Sequence, residues 1–147
     1  MIKSNEISFE IIDSIDSKEL ESIFSLYVKA GWWSLSDDKY IDDINVIVRD
    51  SFCFVAAFIN GKIIGCGRAI SDGISDAYIQ DVVVDEKLRG NGIGAKIIEH
   101  IVLYLRKKNI YWIGLIAQPG TENFYKRLGF SKMKDHIPMY MENNDEV

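Results

Sequence analysis

The sequence predicts an α/β fold, in which a mixed sheet carries helices on its faces. Segments with apolar residues at helical spacing alternate with short runs that favour strands. Their order is a strand, two helices, three antiparallel strands, and then helix, strand, helix and strand. The length of 147 residues suits one domain, and neither a repeat nor a low-complexity linker divides the chain. We therefore expect a single domain over residues 1–147.

The first half of the chain supplies one strand and two helices. Residues 7–12 (ISFEII) indicate the strand. The first helix follows and should stop at Gly31, since glycine commonly ends helices. Its apolar residues at helical spacing are Leu20, Ile23, Phe24 and Tyr27. A second helix is predicted over about residues 37–49, where the apolar residues again form a stripe.

In the second half of the chain, the residue pattern first becomes typical of strands and then includes helical segments again. Asn60-Gly61 joins two β-rich runs and is a strong hairpin signal, because both turn positions need a positive φ. A strand over residues 77–84 (AYIQDVVV) and a helix over about 92–107 follow. The remaining predictions are a strand at 111–117, a short helix that ends at Gly129, and a last strand near 138–142.

Composition and charge exclude several function classes. The net charge is −5 and no basic block occurs, so a nucleic-acid partner is not expected. No run of about 18 apolar residues occurs, and the first residues do not resemble a signal peptide, so neither a membrane partner nor export is expected. We expect a cytoplasmic protein whose cysteines, Cys53 and Cys66, are reduced. The cysteines and the two histidines lack metal-site spacing, so no metal is expected.

A glycine-rich segment lies where the third predicted helix begins. Arg89, Gly90, Gly92 and Gly94 follow the strand "DVVV" and precede apolar residues at helical spacing. Glycines let a ligand approach the backbone, and the N–H groups at a helix start attract anions. Gly90–Ala95 also matches G-x-G-x-x-A, but no acidic residue follows on the next strand, as a dinucleotide site would require. The pattern fits a diphosphate ligand; a glycine-rich turn with a surface arginine is the alternative.

Two motifs give the chain a family resemblance. Arg89–Gly94 (RGNGIG) resembles motif A of the GCN5-related N-acetyltransferases, the GNAT family, with its pattern Gln/Arg-x-x-Gly-x-Gly/Ala. Downstream, Asn123–Phe130 (NFYKRLGF) looks like the family's Tyr-x-x-x-Gly-Phe signature. The order of predicted elements matches the family from residue 7 to residue 141. The resemblance therefore covers essentially the whole chain.

This resemblance implies a GNAT fold: a mostly antiparallel sheet of six or seven strands, splayed at the central strands and flanked by about four helices. It also implies acetyl-CoA as co-substrate. In such proteins the backbone of motif A holds the pyrophosphate, and the pantetheine arm pairs with the central strand. The residues expected to bind the coenzyme here are Val82, Val83, Val84, Arg89, Gly90, Asn91, Gly92, Ile93, Gly94 and Ala95.

One position departs from the family pattern. Many members have an asparagine seven residues before the signature tyrosine, and in this chain Gln118 occupies that position. Asn123 either replaces that asparagine as a coenzyme ligand, or the contact is absent.

The expected reaction is direct attack of a primary amine on the thioester in a ternary complex. Tyr125 matches the family tyrosine that lies next to the sulfur, and it is the candidate donor to the leaving thiolate; a half-buried helical tyrosine is the alternative. Asp81 is the second catalytic candidate, since it either holds the substrate or a catalytic water, or else serves as a structural carboxylate. Gln80, beside it, is a candidate substrate contact.

The acceptor is expected to be a small-molecule amine. Trp32 and Trp33 lie between the first two predicted helices, where this family usually forms its acceptor pocket, and an indole suits an aromatic or cationic amine. Asp72 and Asp76 either line its entrance or make turns. The segment "AGWWSL", together with "RAISDG" at 68–73 and "FYKRLGF", also looks like a bacterial and plastid group that includes arylalkylamine acetyltransferases.

Two rival functions stay open. The strand "QDVVV" is close to that of glucosamine-phosphate acetyltransferases, and an amino-sugar phosphate acetyltransferase would use Arg68 as its phosphate clamp. A non-catalytic acetyl-CoA sensor would keep motif A but would not need Tyr125. Members of the family often form dimers, so a homodimer is compatible with the sequence.

Overall fold

The computed structural model describes residues 6–143, which fall into two compact units, residues 6–115 and residues 116–143. The strands of the first unit are β1 (Ile7–Ile11), β2 (Cys53–Ile59), β3 (Lys62–Ile70), β4 (Asp76–Val84) and β5 (Trp112–Gly114). Its α-helices are α1 (Ser17–Lys29), α2 (Asp43–Asp50) and α3 (Ile93–Lys107), with 3₁₀ turns at Leu35–Tyr40 and Glu86–Leu88. The second unit contains α4 (Glu122–Arg127).

The sheet has the order β1-β2-β3-β4-β5. The first four strands are antiparallel, and β5 is parallel to β4. The β2–β3 connection is the predicted two-residue turn, with φ of 50° at Asn60 and 76° at Gly61. The parallel pair is connected through α3, because parallel neighbours require a crossover. The predicted mixed, mostly antiparallel sheet flanked by helices is confirmed, with five strands in residues 6–143.

Helices cover the two faces of the sheet in different ways. On one face, α1 and α2 bury Ile23, Tyr27 and Ile44 in the main apolar cluster. On the other face, α3 lies directly on the backbone of β3. A Cβ atom at Gly67 would lie 2.9 Å from a methyl carbon of Ile97 and 3.3 Å from one of Ile101. Glycine at this position therefore sets how closely α3 can approach the sheet.

Local signals fix the ends of α1. Asp16 and Glu19 form a reciprocal capping box, since each side chain accepts the other residue's backbone N–H at 2.8 Å. At the other end Gly31 has φ of 79°, a left-handed conformation that glycine adopts without strain. The predicted stop at Gly31 is confirmed.

Three predicted elements differ in the structure. The second predicted helix divides into the 3₁₀ turn Leu35–Tyr40 and α2, and the strand predicted at 111–117 shortens to Trp112–Gly114. Residues 138–142 form no strand, so the sheet has fewer strands than predicted. A strand needs hydrogen-bonding partners, Pro138 has no N–H to donate, and the second unit contains no other strand in its described residues.

Two further expectations concern the whole chain. One domain over residues 1–147 stays a prediction. Within residues 6–143, no helix has both the length and the apolar character required to cross a bilayer.

The connection between β4 and α3 starts at Asp85. Its Oδ1 accepts the Lys87 N–H at 3.1 Å, and its Oδ2 lies 3.6 Å from Lys29 Nζ. Its own N–H donates to the Ile64 carbonyl at 2.8 Å. The Lys87 N–H, and to a lesser degree the Lys29 ammonium, hold the pKa of the Asp85 carboxyl below its usual value. Asp85 thus ties the start of the glycine-rich segment to α1 and β3.

We expect Asp85→Asn to lower the free energy of unfolding by about 0.2–1 kcal/mol at neutral pH, the scale of an exposed ion pair. Because the folded-state pKa is lowered, the charged form stabilises the fold above the unfolded pKa of about 3.9, and this contribution disappears as the pH falls through the folded pKa. Urea unfolding of both proteins between pH 7 and pH 3 measures the difference. A difference that stays constant down to pH 3 would contradict the assignment.

Asp72→Asn is the matched control. Its Oδ1 accepts the Ile74 N–H at 2.9 Å, and within the described residues it has no ion-pair partner. This variant changes a carboxylate that accepts the same kind of backbone N–H but has no lysine partner, so its loss of stability at pH 7 should be smaller than that of Asp85→Asn.

Candidate active site

The start of α3 has the geometry of an anion site. Gly90 and Gly92 have φ of 81° and 75°, and a Cβ at either position would meet no atom within 4 Å. Gly92 is the N-cap, no side chain caps the helix, and its first turn contains no acidic residue. The first N–H groups of a 15-residue helix are therefore available to a ligand, and the helix dipole favours an anionic one.

Two polar side chains stabilise this segment from within. The Asn91 Nδ2 donates to the Leu88 carbonyl at 2.9 Å, which closes the turn before the helix. Arg89 lies at the surface, and its Nε makes a long contact of 3.4 Å with the Val84 carbonyl. The guanidinium keeps further donors, so Arg89 places a cation beside the uncapped helix start.

The β4 strand has an open edge beside this segment. It pairs with β5 only over Asp76–Tyr78, where Tyr78 lies opposite Gly114. From Ile79 to Val84, β4 has no strand partner on that side among residues 6–115. Val82–Val84 belong to this edge, which is the position that an extended ligand would need to pair with the sheet.

A β-bulge interrupts β4 at Asp81. Cys66 lies opposite Val83 and Arg68 opposite Gln80, so Gly67 alone faces both Asp81 and Val82. Asp81 has φ of 54°, a conformation that is uncommon outside glycine but which aspartate tolerates better than most residues. The bulge brings the Asp81 side chain onto the same face as Arg68.

Arg68 and Asp81 form a half-buried ion pair across this bulge. The Arg68 Nε donates to Asp81 Oδ2 at 2.7 Å. Their side chains are 17 % and 31 % exposed, so water screens the pair less than it screens the other ion pairs of the sheet and helices. Gln80 lies directly opposite Arg68 and is exposed. The structure thus brings together three predicted site residues: Arg68, Gln80 and Asp81.

Trp32 and Trp33 line an open pocket of about 290 Å³ with three residues that the sequence analysis did not select: Asp37, Tyr40 and Asp43. Trp33 packs edge-on against Phe24 at 6.0 Å between ring centroids, whereas Trp32 is 38 % exposed. One indole is therefore anchored in the core and the other is available to a ligand. The run "SDDKYIDD" after the tryptophans was the available signal, because it adds carboxylates to an aromatic segment.

Asp37 keeps its charge through local hydrogen bonds. Its Oδ2 accepts the Ser34 N–H at 2.7 Å and the Ser34 hydroxyl at 3.0 Å. These bonds, the backbone one first, lower the pKa of the Asp37 carboxyl. The pocket therefore combines indole faces with a carboxylate that stays ionised in mildly acidic solution. Lys39 is the nearby cation, and its Nζ lies over the Tyr40 ring at 4.9 Å.

Asp72 and Asp76 serve as turn residues. Asp72 accepts the N–H of Ile74, and Asp76 accepts the Ser75 hydroxyl at 3.0 Å through Oδ1 and the Ser71 hydroxyl at 2.6 Å through its carbonyl. Of the two alternatives for these residues, the structure favours turn formation.

In the second unit, α4 presents Tyr125. The helix ends in a Schellman motif: Gly129 has φ of 94°, its N–H donates to the Lys126 carbonyl at 3.1 Å, and the Phe130 N–H donates to the Tyr125 carbonyl at 3.1 Å. The Phe130 ring then contacts the Tyr125 ring at 5.8 Å. The spacing Tyr-x-x-x-Gly-Phe is thus a helix ending that fixes the tyrosine, and burial raises the pKa of its phenol. Asn123 is exposed on the same helix.

Within residues 6–143, no three histidine, cysteine, aspartate or glutamate side chains gather as a metal site would require. Both cysteines are buried, and burial raises the pKa of the Cys53 thiol to about 12. Since the thiolate is the reactive form, neither buried thiol is suited to act as a nucleophile.

Comparison with known families decides the identity. The sequence model of the "Acetyltransferase (GNAT) family" matches residues 17–130. The chain belongs to the GNAT family of acetyltransferases. The predicted resemblance is thereby confirmed, and GNAT proteins use acetyl-CoA as co-substrate.

Two relatives identified by sequence are named N-acetyltransferases. An "Uncharacterized N-acetyltransferase ycf52" from Gracilaria tenuistipitata var. liui is 37 % identical over 98 residues, which are 64 % of this chain and 54 % of that protein. "Serotonin N-acetyltransferase 2, chloroplastic" from Oryza sativa subsp. japonica is 38 % identical over 77 residues, which are 52 % of this chain and 38 % of that protein. The matched segments span about half the length of such relatives or less.

Solved structures agree on the fold. A GNAT family acetyltransferase from Streptococcus pneumoniae TIGR4 superposes with a TM-score of 0.76 at 20 % identity, covering 95 % of this GNAT chain and 99 % of that one. Glucosamine-6-phosphate N-acetyltransferase from Arabidopsis thaliana gives 0.73 at 20 % identity, covering 92 % and 99 %. At these identities the likeness concerns the fold alone.

The expected location needs correction. Three relatives, one from rice and two from Arabidopsis thaliana, carry the word "chloroplastic" in their names. The prediction of a cytoplasmic protein is therefore wrong on this comparison. Composition is a poor guide to location, because targeting depends on a short address segment and not on the fold of an enzyme domain.

Proposed function

We propose that this GNAT protein transfers the acetyl group of acetyl-CoA to the primary amine of a small, cationic and aromatic molecule. The observation that carries the proposal is the pocket in which Trp32 and Trp33 meet Asp37 and Asp43. Indole faces attract cations and aromatic rings, and carboxylates attract ammonium groups. The rice relative named serotonin N-acetyltransferase supports an arylalkylamine as the acceptor.

The proposed coenzyme site consists of the start of α3 and the open edge of β4. The pyrophosphate would lie at the uncapped N–H groups of Ile93, Gly94 and Ala95, with Arg89 beside it. The pantetheine arm would pair with the open edge of β4 at Val82–Val84. We also propose that Asn123 contacts the coenzyme.

The chemistry requires a free amine and a stabilised leaving group. An alkyl amine with a pKa of ~10.4 costs ~4.6 kcal/mol to deprotonate at pH 7, so the site must accept a proton. We assign that role to Asp81, directly or through water. The amine nitrogen forms a bond to the acetyl carbonyl carbon, the carbon–sulfur bond breaks, and the sulfur keeps its electron pair. Tyr125 donates a hydrogen bond to that thiolate, and its raised pKa keeps the phenol protonated.

The amino-sugar phosphate alternative is less well supported. It needs a cation to clamp the phosphate, and Arg68 already bonds Asp81. The pocket lining contains two carboxylates, which would repel a phosphate. The acceptor experiment must therefore be able to detect two other outcomes. One is acetylation of a phosphorylated amino sugar, and the other is coenzyme binding without catalysis.

We expect Gly92→Ala to weaken acetyl-CoA binding by at least tenfold, or ~1.4 kcal/mol, because the added methyl group would occupy open space at the N-cap, where we propose that the anion binds. Isothermal titration calorimetry measures the affinity. The substitution also places alanine at a positive φ, which costs about 1–2 kcal/mol of stability. Unchanged affinity in the folded variant would remove this helix start as the coenzyme site.

The matched control for this variant is Gly61→Ala. Gly61 has φ of 76° and, like Gly92, no atom within 4 Å of an added Cβ. It therefore carries the same strain in the β2–β3 turn, without touching the proposed anion site, and should bind acetyl-CoA as the wild type does.

We expect Tyr125→Phe to lower kcat on the order of 10²-fold, since it removes a hydrogen bond to the leaving thiolate while the ring still packs against Phe130. The affinity for acetyl-CoA should change little. Release of the free CoA thiol, followed with a thiol reagent, measures turnover. Wild-type turnover in this variant would assign Tyr125 to packing alone.

The acceptor itself is tested with a panel of tryptamine-like amines, a lysine peptide and glucosamine 6-phosphate. We expect the tryptamine-like amines to be acetylated fastest. Trp32→Ala should raise their KM by up to ~30-fold, because a desolvated cation–aromatic contact contributes ~2 kcal/mol. Asp37→Asn should raise it about fivefold, since two charges 4 Å apart in water interact by ~1 kcal/mol. The KM for acetyl-CoA should stay constant in both variants.

Asp38→Asn is the control for Asp37→Asn. It removes the same charge from the same 3₁₀ turn but does not line the pocket. Faster acetylation of glucosamine 6-phosphate would refute the aromatic acceptor, and no thiol release with any amine would favour the sensor.

A further inference from the structure

An exposed aromatic pair lies on the sheet where β4 and β5 stop pairing. The Tyr78 ring meets the Trp112 ring edge-on, with 5.3 Å between the ring centroids. The two residues are 47 % and 46 % exposed, and Ile70, which lies opposite Tyr78 on β3, is 42 % exposed. We call these three side chains the aromatic platform. The main apolar cluster of the described residues includes none of them, so core packing does not explain the platform.

Glycine at position 114 makes room for the platform. A Cβ atom at Gly114 would lie 2.7 and 2.8 Å from two ring carbons of Trp112, and 3.6 Å from one of Tyr78. Trp112 and Gly114 are on the same face of β5, because side chains alternate along a strand. The indole therefore fills the space that a side chain at position 114 would need, and it reaches the ring on the neighbouring strand. The platform is thus preformed.

The platform shares one face of the sheet with the Arg68–Asp81 ion pair. Tyr78 and Gln80 are two residues apart on β4, and their partners on β3, Ile70 and Arg68, have the same spacing. Side chains at this spacing project from one face and are about 6–7 Å apart along the strand. The register shift begins beyond Gln80, so it leaves this alternation intact. The platform is therefore one alternation step from the ion pair.

The direction of β4 places the platform on the acceptor side of Asp81. The strand ends at Val84 and leads into α3, where the pyrophosphate of the coenzyme is proposed to bind. A coenzyme that pairs with Val82–Val84 reaches Asp81 from that end of the strand. The acceptor amine then approaches from the other direction, where Gln80 and Tyr78 lie.

We propose that the aromatic platform binds the apolar group of the acceptor amine and selects arylalkylamines over plain alkylamines. The inference rests on the proposed function. It adds an apolar subsite, next to the reacting nitrogen, to the pocket of Trp32 and Trp33. The step of about 6–7 Å along β4 is comparable to the length of an arylethylamine from its ring to its nitrogen. Tyr78 and Trp112 are thus specificity-determining residues.

The size of the platform fits a small molecule better than a protein partner. An aromatic side chain buries about 150–250 Å² when it is fully covered, so each half-exposed ring offers roughly 100 Å². A stable protein interface buries about 800 Å² on each partner. Three side chains fall well short of this area, whereas they match the size of one aryl group.

The test compares tryptamine with ethylamine, a primary amine without the indole ring. We expect Trp112→Ala to lower kcat/KM for tryptamine about tenfold, the scale of one aromatic contact. The values of kcat/KM for ethylamine and of KM for acetyl-CoA should stay within about twofold of wild type. Release of the CoA thiol at subsaturating amine measures both rates. An equal loss with both amines would indicate a structural role and would overturn the inference.

Gly114→Ala disturbs the same surface without removing a ring, and it also serves if Trp112→Ala does not fold. Its methyl group would collide with the outer carbons of the Trp112 indole, so the indole must move away from Tyr78. The backbone at position 114 has no positive φ, so alanine adds no strain there. We expect the same selective loss with tryptamine. Wild-type selectivity in this folded variant would overturn the inference.

Tyr111→Ala is the matched control. Tyr111 directly precedes β5 and is 71 % exposed, but it does not belong to the platform. Its removal should leave the preference for tryptamine over ethylamine unchanged. A loss of preference equal to that of Trp112→Ala would show that any exposed aromatic residue has this effect, and would overturn the inference.

Two further outcomes have distinct meanings. Analytical ultracentrifugation reveals the other possible occupant, a second copy of this chain. A wild-type dimer that Trp112→Ala converts to a monomer with unchanged selectivity would overturn the inference. A wild type that releases no thiol with any amine overturns the proposed function and this inference together. An active wild type whose selectivity survives both Trp112→Ala and Gly114→Ala overturns the inference alone.

Discussion

The register shift between β3 and β4 is the constraint on which the candidate site depends. Without the extra residue in β4, Asp81 would alternate with Gln80 and point to the α3 face, away from Arg68. The bulge turns the carboxylate toward α1, and the bond to Arg68 holds it there at 2.7 Å. The positive φ of Asp81 and the partly buried charges are unfavourable in isolation, and each is tolerated because the other is present.

The sequence predicted those features whose cause is local. Asn60-Gly61 makes its turn through its own φ angles, and Gly31 ends α1 in the same way. The glycines before α3 could be recognised because they directly precede, in the sequence, the residues that predict the helix. The Arg68–Asp81 pair was not predictable, because it joins residues 13 apart across a bulge. Asp37 and Asp43 were passed over because a carboxylate beside a tryptophan in sequence need not share its pocket. The strand near 138–142 failed because strand formation depends on a partner strand.

Both family motifs have a backbone explanation. In the first, two glycines with positive φ bring the chain into α3 and leave its N–H groups without a cap. In the second, Gly129 ends α4 so that Phe130 folds back onto Tyr125. Each motif specifies a helix end rather than a set of side-chain contacts, which explains why most of its intervening positions can vary.

The proposed acceptor pocket and the proposed coenzyme site are built on different parts of the first unit. Four of the five pocket residues lie in the segment that joins α1 to α2, whereas the proposed coenzyme site depends on α3, which rests on the backbone of β3 at Gly67. Substitutions in the connecting segment therefore leave the seating of α3 untouched. Under the proposed function, this separation lets the amine specificity change through substitutions in one surface loop, while the proposed coenzyme site stays the same.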